Sequence, residues 1–334
     1  MSKSNQYRAS QSKVKTYRRC RRAYHNRYVE NLKRKRVKRP LMFGRIVHEM
    51  LEANANGDDP FDILDAINIK DAKLFASEKE QYGEIINDIS LIMEDYFEYY
   101  PERELVYVKV GDKYAEHKFE IELLGGEVIW NGKVDALGKT PNKLKWVVEH
   151  KTFTKMPGED ERWRNLQSVT YFEAIDILGW GSVDGVVWDY IRSKSPPRPG
   201  LLKDGSMSKK AVDTLPGAVR EALRRHKIPM RPYTNFIVSM EKNRPNWFKR
   251  IHTPVGAEVK KKVFADFVTT IKEMLVNHGK VKDMNIERHC SWCDYEPLCR
   301  AELQGLDVDY IKQKEYVVDD KDYHETNTDD TTTE

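Results

Sequence analysis

The chain has 334 residues, 40% hydrophobic and 10% aromatic, with 57 Lys and Arg against 53 Asp and Glu for a formal net charge of +4. That length can bury a large core in one elaborated domain or two, and the composition is that of an ordinary globular protein. No apolar run approaches the roughly 20 residues a bilayer demands, and the opening Met-Ser-Lys-Ser-Asn-Gln lacks the apolar core of a secretion signal, so the expected setting is cytoplasmic, away from membranes, with cysteines reduced unless they bind metal.

The small net charge hides an asymmetry. Lys15 to Arg39 holds twelve Lys or Arg and one acid, Glu30, whereas Glu315 to Glu334 holds eight acids and one Lys. Ser10 to Asn31 reads as a helix with Val14, Tyr17, Tyr24, Tyr28 and Val29 broadly on one side and arginines around them. Arginines interleaved with tyrosines suit phosphate contact and base stacking, and equally suit a solvated basic face. The expected nucleic-acid contacts are Arg18, Arg19, Arg21, Arg22, Lys33, Arg34, Lys35 and Arg36; the run Lys33 to Arg39 also matches a nuclear-import pattern, ranked lower because it adjoins the site region. A second helix starts at Phe43-Gly-Arg-Ile-Val-His48, with Gly44, Val47 and Leu51 inward and His48 one step round, able to reach the edge of a buried site. After an insert at Asn54–Pro60 and the segment Phe61–Ile69, a long helix from Asp71 to Tyr100 is expected, stopped by Pro101, with Ile85, Ile86, Ile89, Ile92, Met93, Tyr96 and Phe97 as its stripe.

Strands are expected at Leu105–Val110 and Tyr114–Leu124, followed by a hairpin. Its arms are Val128 to Ala136 and Trp146 to Lys151, with breakers from Gly138 to Lys143 between them. Alternation puts Glu149 and Lys151 on one face and His150 on the other, and a hairpin of this size brings Asp135 alongside Glu149. Two carboxylates and an ammonium at one spot suit phosphodiester hydrolysis: the oxygens hold a hard divalent cation, and the lysine orients water or stabilises charge on phosphorus. A salt-bridged strand face would use the same residues. A helix over Glu161–Leu178 places Gln167 and Tyr171 at i, i+4 on one side. Ser182–Ile191 reads as a buried strand, Ser193–Gly217 as a long loop, and further strands or helices follow around Phe236–Met240 and Trp247–Ile251. A helix over Val255–His278 leads to the last cysteines, and an acidic, disordered tail is expected over 315–334. Gly138-Lys-Thr140 is not a phosphate loop, because Lys133 stands where its first glycine belongs, so no ATPase motor is expected.

The cysteines form one pattern. Cys290-Ser-Trp-Cys293-Asp-Tyr-Glu-Pro-Leu-Cys299 is a C-x2-C-x5-C triplet, and Cys20 is the fourth and last. Four thiolates hold either zinc or an iron–sulfur cluster, and spacing alone does not choose.

Taken together, from Ser10 to about Arg300, the chain resembles the RecB/AddB/Cas4-like branch of the PD-(D/E)xK nucleases. Tyr17-Arg-Arg-Cys20-Arg-Arg-Ala-Tyr24 is similar to that branch's cysteine helix, and Gly44-Arg-Ile-Val-His48 to its G-x-x-x-H segment. Gly132-Lys-Val-Asp135 and Glu149-His-Lys151 are similar to its carboxylates and catalytic lysine, and Gln167-Ser-Val-Thr-Tyr171 to its Q-x-x-x-Y helix. Lys133 and His150 depart from the arginine and tyrosine common at those places.

The resemblance implies an α/β fold: a restriction-endonuclease-like core with a central mixed sheet flanked by helices. The nuclease domain would span 1–314, its N-terminal helix joined to the C-terminal region by a [4Fe–4S] cluster on Cys20, Cys290, Cys293 and Cys299. It implies Mg²⁺ or Mn²⁺ held by His48, Asp135, Glu149 and the carbonyl of His150. Lys151 would be catalytic, with Gln167 and Tyr171 supporting the site and contacting DNA. The expected activity is metal-dependent DNA hydrolysis, as an exonuclease in recombination or repair, on a phage or mobile element, beside a recombination or annealing protein. The alternatives are a catalytically silent DNA-binding module or a zinc-stapled interaction protein. Insertions near 54–101 and 193–230 lie outside the resemblance.

Overall fold

The computed structural model describes residues 6–319 except 36–37, 71–75, 101–103, 164 and 211. The first half runs β1 (Tyr7–Ala9), α1 (Gln11–Arg19), α2 (Arg21–Tyr28), β2 (Leu32–Arg34), α3 (Arg39–Asn56), α4 (Asp62–Lys70), α5 (Ala76–Tyr99), β3 (Val106–Tyr107), β4 (Ala115–Leu123), β5 (Val128–Lys139) and β6 (Lys145–Phe153). The second half runs α6 (Glu159–Trp163), α7 (Leu166–Ile177), β7 (Gly185–Arg192), α8 (Pro216–Arg225), α9 (Thr234–Ser239), α10 (Arg244–Trp247), β8 (Phe248–Pro254), α11 (Ala257–Asn277), α12 (Glu296–Leu303), α13 (Val308–Glu315) and β9 (Tyr316–Val318).

Seven strands make one mixed sheet around β5, which pairs antiparallel with β3, β4 and β6 and parallel with β1. β7 lies parallel to β6 and antiparallel to β8. One face packs on α1, α7 and α11 through Val14, Tyr17, Trp130, Phe172, Trp188 and Phe267. The other packs on α3 and α5 through Phe43, Ile46, Met50, Ile89 and Ile92. The architecture is therefore α/β, a mixed sheet between helices, because β-branched and aromatic residues alternate along the strands while both flanking helix sets carry apolar stripes. No helix among the described residues is long and apolar enough to cross a membrane.

Several expected elements end elsewhere. The helix read over Ser10–Asn31 breaks at Cys20, whose extended backbone (φ −164°, ψ 118°) separates α1 from α2. Ser10 caps α1 by accepting from the Lys13 amide at 3.3 Å. The helix read over Glu161–Leu178 is two, α6 and α7. Strand Leu105–Val110 shortens to β3; Phe236–Met240, left open between strand and helix, is helical at α9. Tyr316–Val318, where the acidic tail was expected to have begun, is a strand antiparallel to β2; Pro101, residues 71–75 and 320–334 lie outside the described residues. Apolar Tyr316, Val317 and Val318 carry the pairing, and the acids around them face the basic run.

The two insertions meet. Asp95 of α5 accepts from the Gly217 amide at 2.9 Å and from Arg244 at 2.8 Å, and Asp88 of α5 pairs with Arg198 at 2.8 Å. Both aspartates are buried, and each such charge is tolerated only because these donors surround it.

Candidate active site and cysteine cavity

The chemistry gathers where β4, β5 and β6 meet α3. Ala136 pairs with Val148, so the next positions along, Asp135 and Glu149, fall opposite one another. Ala115 pairs with Ala136 and His117 with Val134, so Glu116 comes to the other flank of Asp135. Val134 and Leu137 share one core while Ala136 belongs to another, so β5 changes face across Asp135. Glu116 sits in left-handed backbone (φ 57°), a conformation costing a non-glycine residue about 1–2 kcal/mol, and its carboxylate is ion-paired with Lys133.

α3 supplies His48. Pro40 opens the helix and Gly57 (φ 91°) closes it, and the side opposite the solvent is filled by Met42, Phe43, Ile46, Val47 and Met50. α3 runs close over β6 at Gly44, where a Cβ would lie 3.4 Å from Thr152 Oγ1, an ordinary van der Waals contact. His48 Nδ1 then stands 3.8 Å from Asp135 Oδ2 and 3.9 Å from Glu116 Oε1, while Nε2 lies 3.1 Å from the His150 carbonyl. His48, Glu116 and Asp135 offer ligand atoms within 4.8 Å of one another. The His150 amide donates to Asp135 Oδ2 at 2.9 Å, fixing that carboxylate.

Glu149 is fully buried. One oxygen accepts from Lys151, and the other, Oε2, has no hydrogen-bond partner. Burial dominates Glu149 and, with the Asp135 charge, pushes its carboxyl above the usual range against the pull of Lys151. Burial also opposes ionisation of Asp135, but the charges of His48, Lys151 and His150 and the His150 amide outweigh it and hold that carboxyl low. Burial disfavours the Lys151 ammonium, yet Glu149 and Asp135 raise its pKa, so it is a cation at neutral pH. The two carboxylates thus differ: Asp135 stays ionised, and Glu149 keeps a buried oxygen free.

His150 points to the other face, as alternation requires. Its Nδ1 lies 3.1 Å from Asp189 Oδ2 and its Nε2 3.4 Å from the Tyr107 hydroxyl. Asp189, fully buried on β7, also accepts from Tyr96 and from Arg250 Nε at 3.4 Å, and Arg250 stacks 3.8 Å from the Tyr100 ring centre. Burial works against the Asp189 carboxylate, but Arg250, His150 and Tyr96 hold its pKa down.

Tyr171 is buried against Phe119, ring centres 5.6 Å apart, and both crowd Gly132: a Cβ there would come within 2.6 Å of Phe119 Cζ and 3.1 Å of Tyr171. Gly132 is thus the one residue that lets this core form beside Asp135. The Gln167 side chain lies outside the described residues.

All four cysteines line one cavity of about 250 Å³, with His289 and Asn285 beside them. Cys20 reaches it from the break between α1 and α2, Cys290 and Cys293 from the turn at Arg288–Trp292, and Cys299 from α12. None is in a disulfide. Burial, with Cys20 and Cys293 nearby, pushes the Cys299 thiol up to about 11, and burial raises Cys293 too. Among the described residues, no three of these sulfurs lie mutually within 4.8 Å, as the three ligand atoms of the carboxylate site do.

The basic residues read as DNA contacts are largely engaged inside the chain. Arg18 Nε donates to Thr270 at 2.8 Å, Arg21 pairs with Glu273 at 2.7 Å and Arg22 with Glu302 at 2.9 Å. Lys33 meets Asp319 at 3.8 Å, Arg34 meets Glu315 at 3.1 Å, and Lys35 donates to the Gln313 carbonyl at 2.7 Å. Arg19 keeps a buried Nε without a hydrogen bond, and Arg36 is outside the described residues.

Sequence reading missed Glu116, Asp189, Tyr96 and Arg250. Glu116 had a signal: reflecting Asp135 through the Gly125-Gly126 turn lands on residue 116. Asp189 and Arg250 sit on strands whose partners only the folded sheet reveals.

Residues 8–300 match the family model of the PD-(D/E)XK nuclease superfamily, and the chain belongs to that superfamily. Nucleases of this superfamily cut phosphodiester bonds in nucleic acid using divalent metal ions, which the His48, Glu116 and Asp135 cluster suits. No curated protein matches the chain.

Proposed function

We propose that the protein is a Mg²⁺- or Mn²⁺-dependent deoxyribonuclease of the RecB/AddB/Cas4-like branch, an exonuclease acting in DNA recombination or repair. The observation that carries this reading is one site where His48 Nδ1 and Asp135 Oδ2 lie 3.8 Å apart beside the His150 carbonyl and a buried Glu149 oxygen without a partner. That donor set of imidazole, carboxylates and a carbonyl fits a hard divalent cation, with Glu116 as a further oxygen ligand. When bound, such a cation neutralises phosphate charge and lowers the pKa of water. Asp135, held ionised, and the free oxygen of Glu149 are the residues that would hold it. Lys151 is a fixed ammonium at the same place, so its role is to orient water and stabilise negative charge on phosphorus rather than to accept a proton.

The second component is a [4Fe–4S] cluster on Cys20, Cys290, Cys293 and Cys299. A zinc–thiolate bond of about 2.3 Å makes a tetrahedron with sulfurs roughly 3.8 Å apart. A cavity of about 250 Å³ lined by all four cysteines suits a larger group. End-labelled single- and double-stranded DNA incubated with Mg²⁺, Mn²⁺ or EDTA tests the activity. Cation-dependent release of nucleotides from ends is expected, and wild-type cleavage by Glu149→Ala would sink the assignment. Iron analysis of anaerobically purified protein tests the cluster, and one zinc per chain would replace it.

A further inference from the structure

Besides Lys15–Arg39, a second basic stretch covers the second insertion and the residues that follow it. From residue 194 to 244 there are twelve Lys and Arg and four acids, a formal +8 in a chain whose total is +4. Three of those cations are spent inside: Arg198 on Asp88 and Glu221, Arg220 on Glu98, and Arg244 on Asp95 and Glu98. The other nine are exposed, and none is in an ion pair among the described residues.

Six of them come together. Arg224 and Arg225 end α8, Lys227 follows in a left-handed turn (φ 54°), and Arg231 opens the next turn. Lys209 and Lys210 join them, because Lys209 Nζ donates to the Pro232 carbonyl at 3.0 Å and lies over the Tyr233 ring. Two arginines at a helix C-terminus would be accounted for by the helix dipole. Lys209, Lys210 and Arg231 are not on that helix, so the dipole does not explain the cluster.

The patch is carried on a packed support. Val219, Ala222 and Leu223 of α8 bury against Met207, Tyr233, Ile237 and Met240. The lobe is rooted beside the candidate active site: the Ser193 amide donates to the Phe153 carbonyl at 2.8 Å, two residues beyond Lys151 on β6. It is pinned by Asp88, which also holds Arg39, the first residue of the helix that carries His48, at 2.8 Å. Lys33 and Arg34 of the N-terminal basic run are the opposite case, paired with Asp319 just after β9 and with Glu315 of α13.

We infer that this lobe is the chain's phosphate grip: it binds the backbone of the DNA strand being cut, away from the scissile bond. The inference rests on the nuclease reading only for the identity of the polyanion. Unpaired exposed cations release condensed counterions when they meet phosphates, and each contact adds about 0.9 to the slope of log K against log salt for duplex DNA.

The test is a full-length Arg224→Ala/Arg225→Ala/Lys227→Ala/Arg231→Ala variant, its fold checked by melting temperature. Binding of a fluorescent 30-base-pair duplex is measured in EDTA from 50 to 200 mM salt, so no cleavage intervenes. If all four contact phosphate, the slope falls by about 3.6, and the four-fold rise in salt weakens wild type about 150-fold more than the variant. Cleavage of long duplex should show a raised KM with kcat kept, while a nitrophenyl ester of thymidine 5′-phosphate, too short to reach the lobe, is cut at the wild-type rate. An unchanged salt slope overturns the inference, and so does an equal loss on the short ester. Binding that shows the expected slope in a wild type that never cuts would support the lobe and remove the nuclease reading. A matched Lys33→Ala/Lys35→Ala variant should leave the slope nearly intact; a larger drop there would assign the grip to the N-terminal run instead.

Discussion

The carboxylate site and the cysteine cavity are both sets of metal-type ligands, yet they are built in contrary ways. The first draws on neighbouring strands and one helix; Asp135 and Glu149 are fourteen positions apart and meet through a hairpin register. The second draws on the two ends of the chain, Cys20 and Cys290 to Cys299. The first already contains its own cation, Lys151 against Glu149. In the second, Arg19 and Arg22 pull against the thiols' pKa rise only in part: burial and the neighbouring cysteines push Cys293 and Cys299 upward all the same. A site with an internal cation stands without metal, whereas four thiolates gathered at one place need a cation between them. Chelation should therefore stop catalysis at the first site without loosening the fold, and loosen the fold at the second.

The largest effect expected is on cleavage. Asp135→Asn and Glu149→Gln keep side-chain volume and remove a charge, so each should lower kcat by about a thousand-fold or more, at the upper end of what one electrostatic contact supplies. Their iron content and melting temperature should stay near wild type. A variant that loses iron along with activity would mean the two sites are one cooperative unit, and the contrast would fail. The acid side of the pH profile follows from the same residues. A raised carboxyl is protonated at higher pH than an exposed glutamate, so Mn²⁺ affinity should weaken as pH falls through the raised pKa of Glu149 while Asp135 remains ionised. Calorimetric titration with Mn²⁺ at pH 5 and pH 7 checks it; equal affinities would remove Glu149 as a ligand.

Next in size is the loss of one thiol. Closing a loop of some 270 residues is worth roughly 5 kcal/mol in the chain-entropy account. The ends of this chain are also tied without metal. β2 pairs with β9, Tyr295 donates to the Leu32 carbonyl at 2.7 Å, and Lys38 meets Asp294 at 2.8 Å. Cys20→Ser should thus lose all iron but only about 2–3 kcal/mol of stability, about half the entropic figure. Limited proteolysis should then cut near residues 20 and 290 before it cuts the sheet. Complete unfolding would show that the strand pair depends on the cavity.

The contrast also shows which juxtapositions were legible in the sequence. Asp135 beside Glu149 was legible because period-two alternation and a single turn define a hairpin. Cys20 with the C-x2-C-x5-C triplet was legible because four cysteines left no alternative partner. Glu116 was not read, though a two-glycine turn marked its register, and its backbone lies in a region that strand patterns do not announce. The break at Cys20 was hidden by tyrosines whose spacing suits one continuous helix. The basic run was read for its composition, and composition does not say that Glu315 and Asp319 return to meet it.

The smallest effect expected lies behind the carboxylate site, where the first insertion contributes Tyr96. Its hydroxyl donates to Asp189, and Asp189 in turn fixes the imidazole of His150, whose amide holds Asp135 and whose carbonyl faces His48. Tyr96→Phe removes that one donor and leaves Arg250 and His150 on the carboxylate. Depriving a buried acceptor of a partner costs about 1–3 kcal/mol. The variant should lose that much stability, and kcat should fall less than ten-fold, with a higher Mn²⁺ concentration needed for half-maximal rate. The sign with pH is set by Asp189, whose folded pKa is depressed. Such a group stabilises fully above the unfolded aspartate value near ~3.9 and loses that contribution as pH falls through its lower folded value. The Tyr96→Phe penalty should therefore be constant from pH 8 to pH 5 and shrink only below about pH 4, measured by urea unfolding at each pH. A penalty that vanishes between pH 8 and pH 5 would mean that Asp189 is not the charge Tyr96 serves, and that the insertion supports the site only by packing.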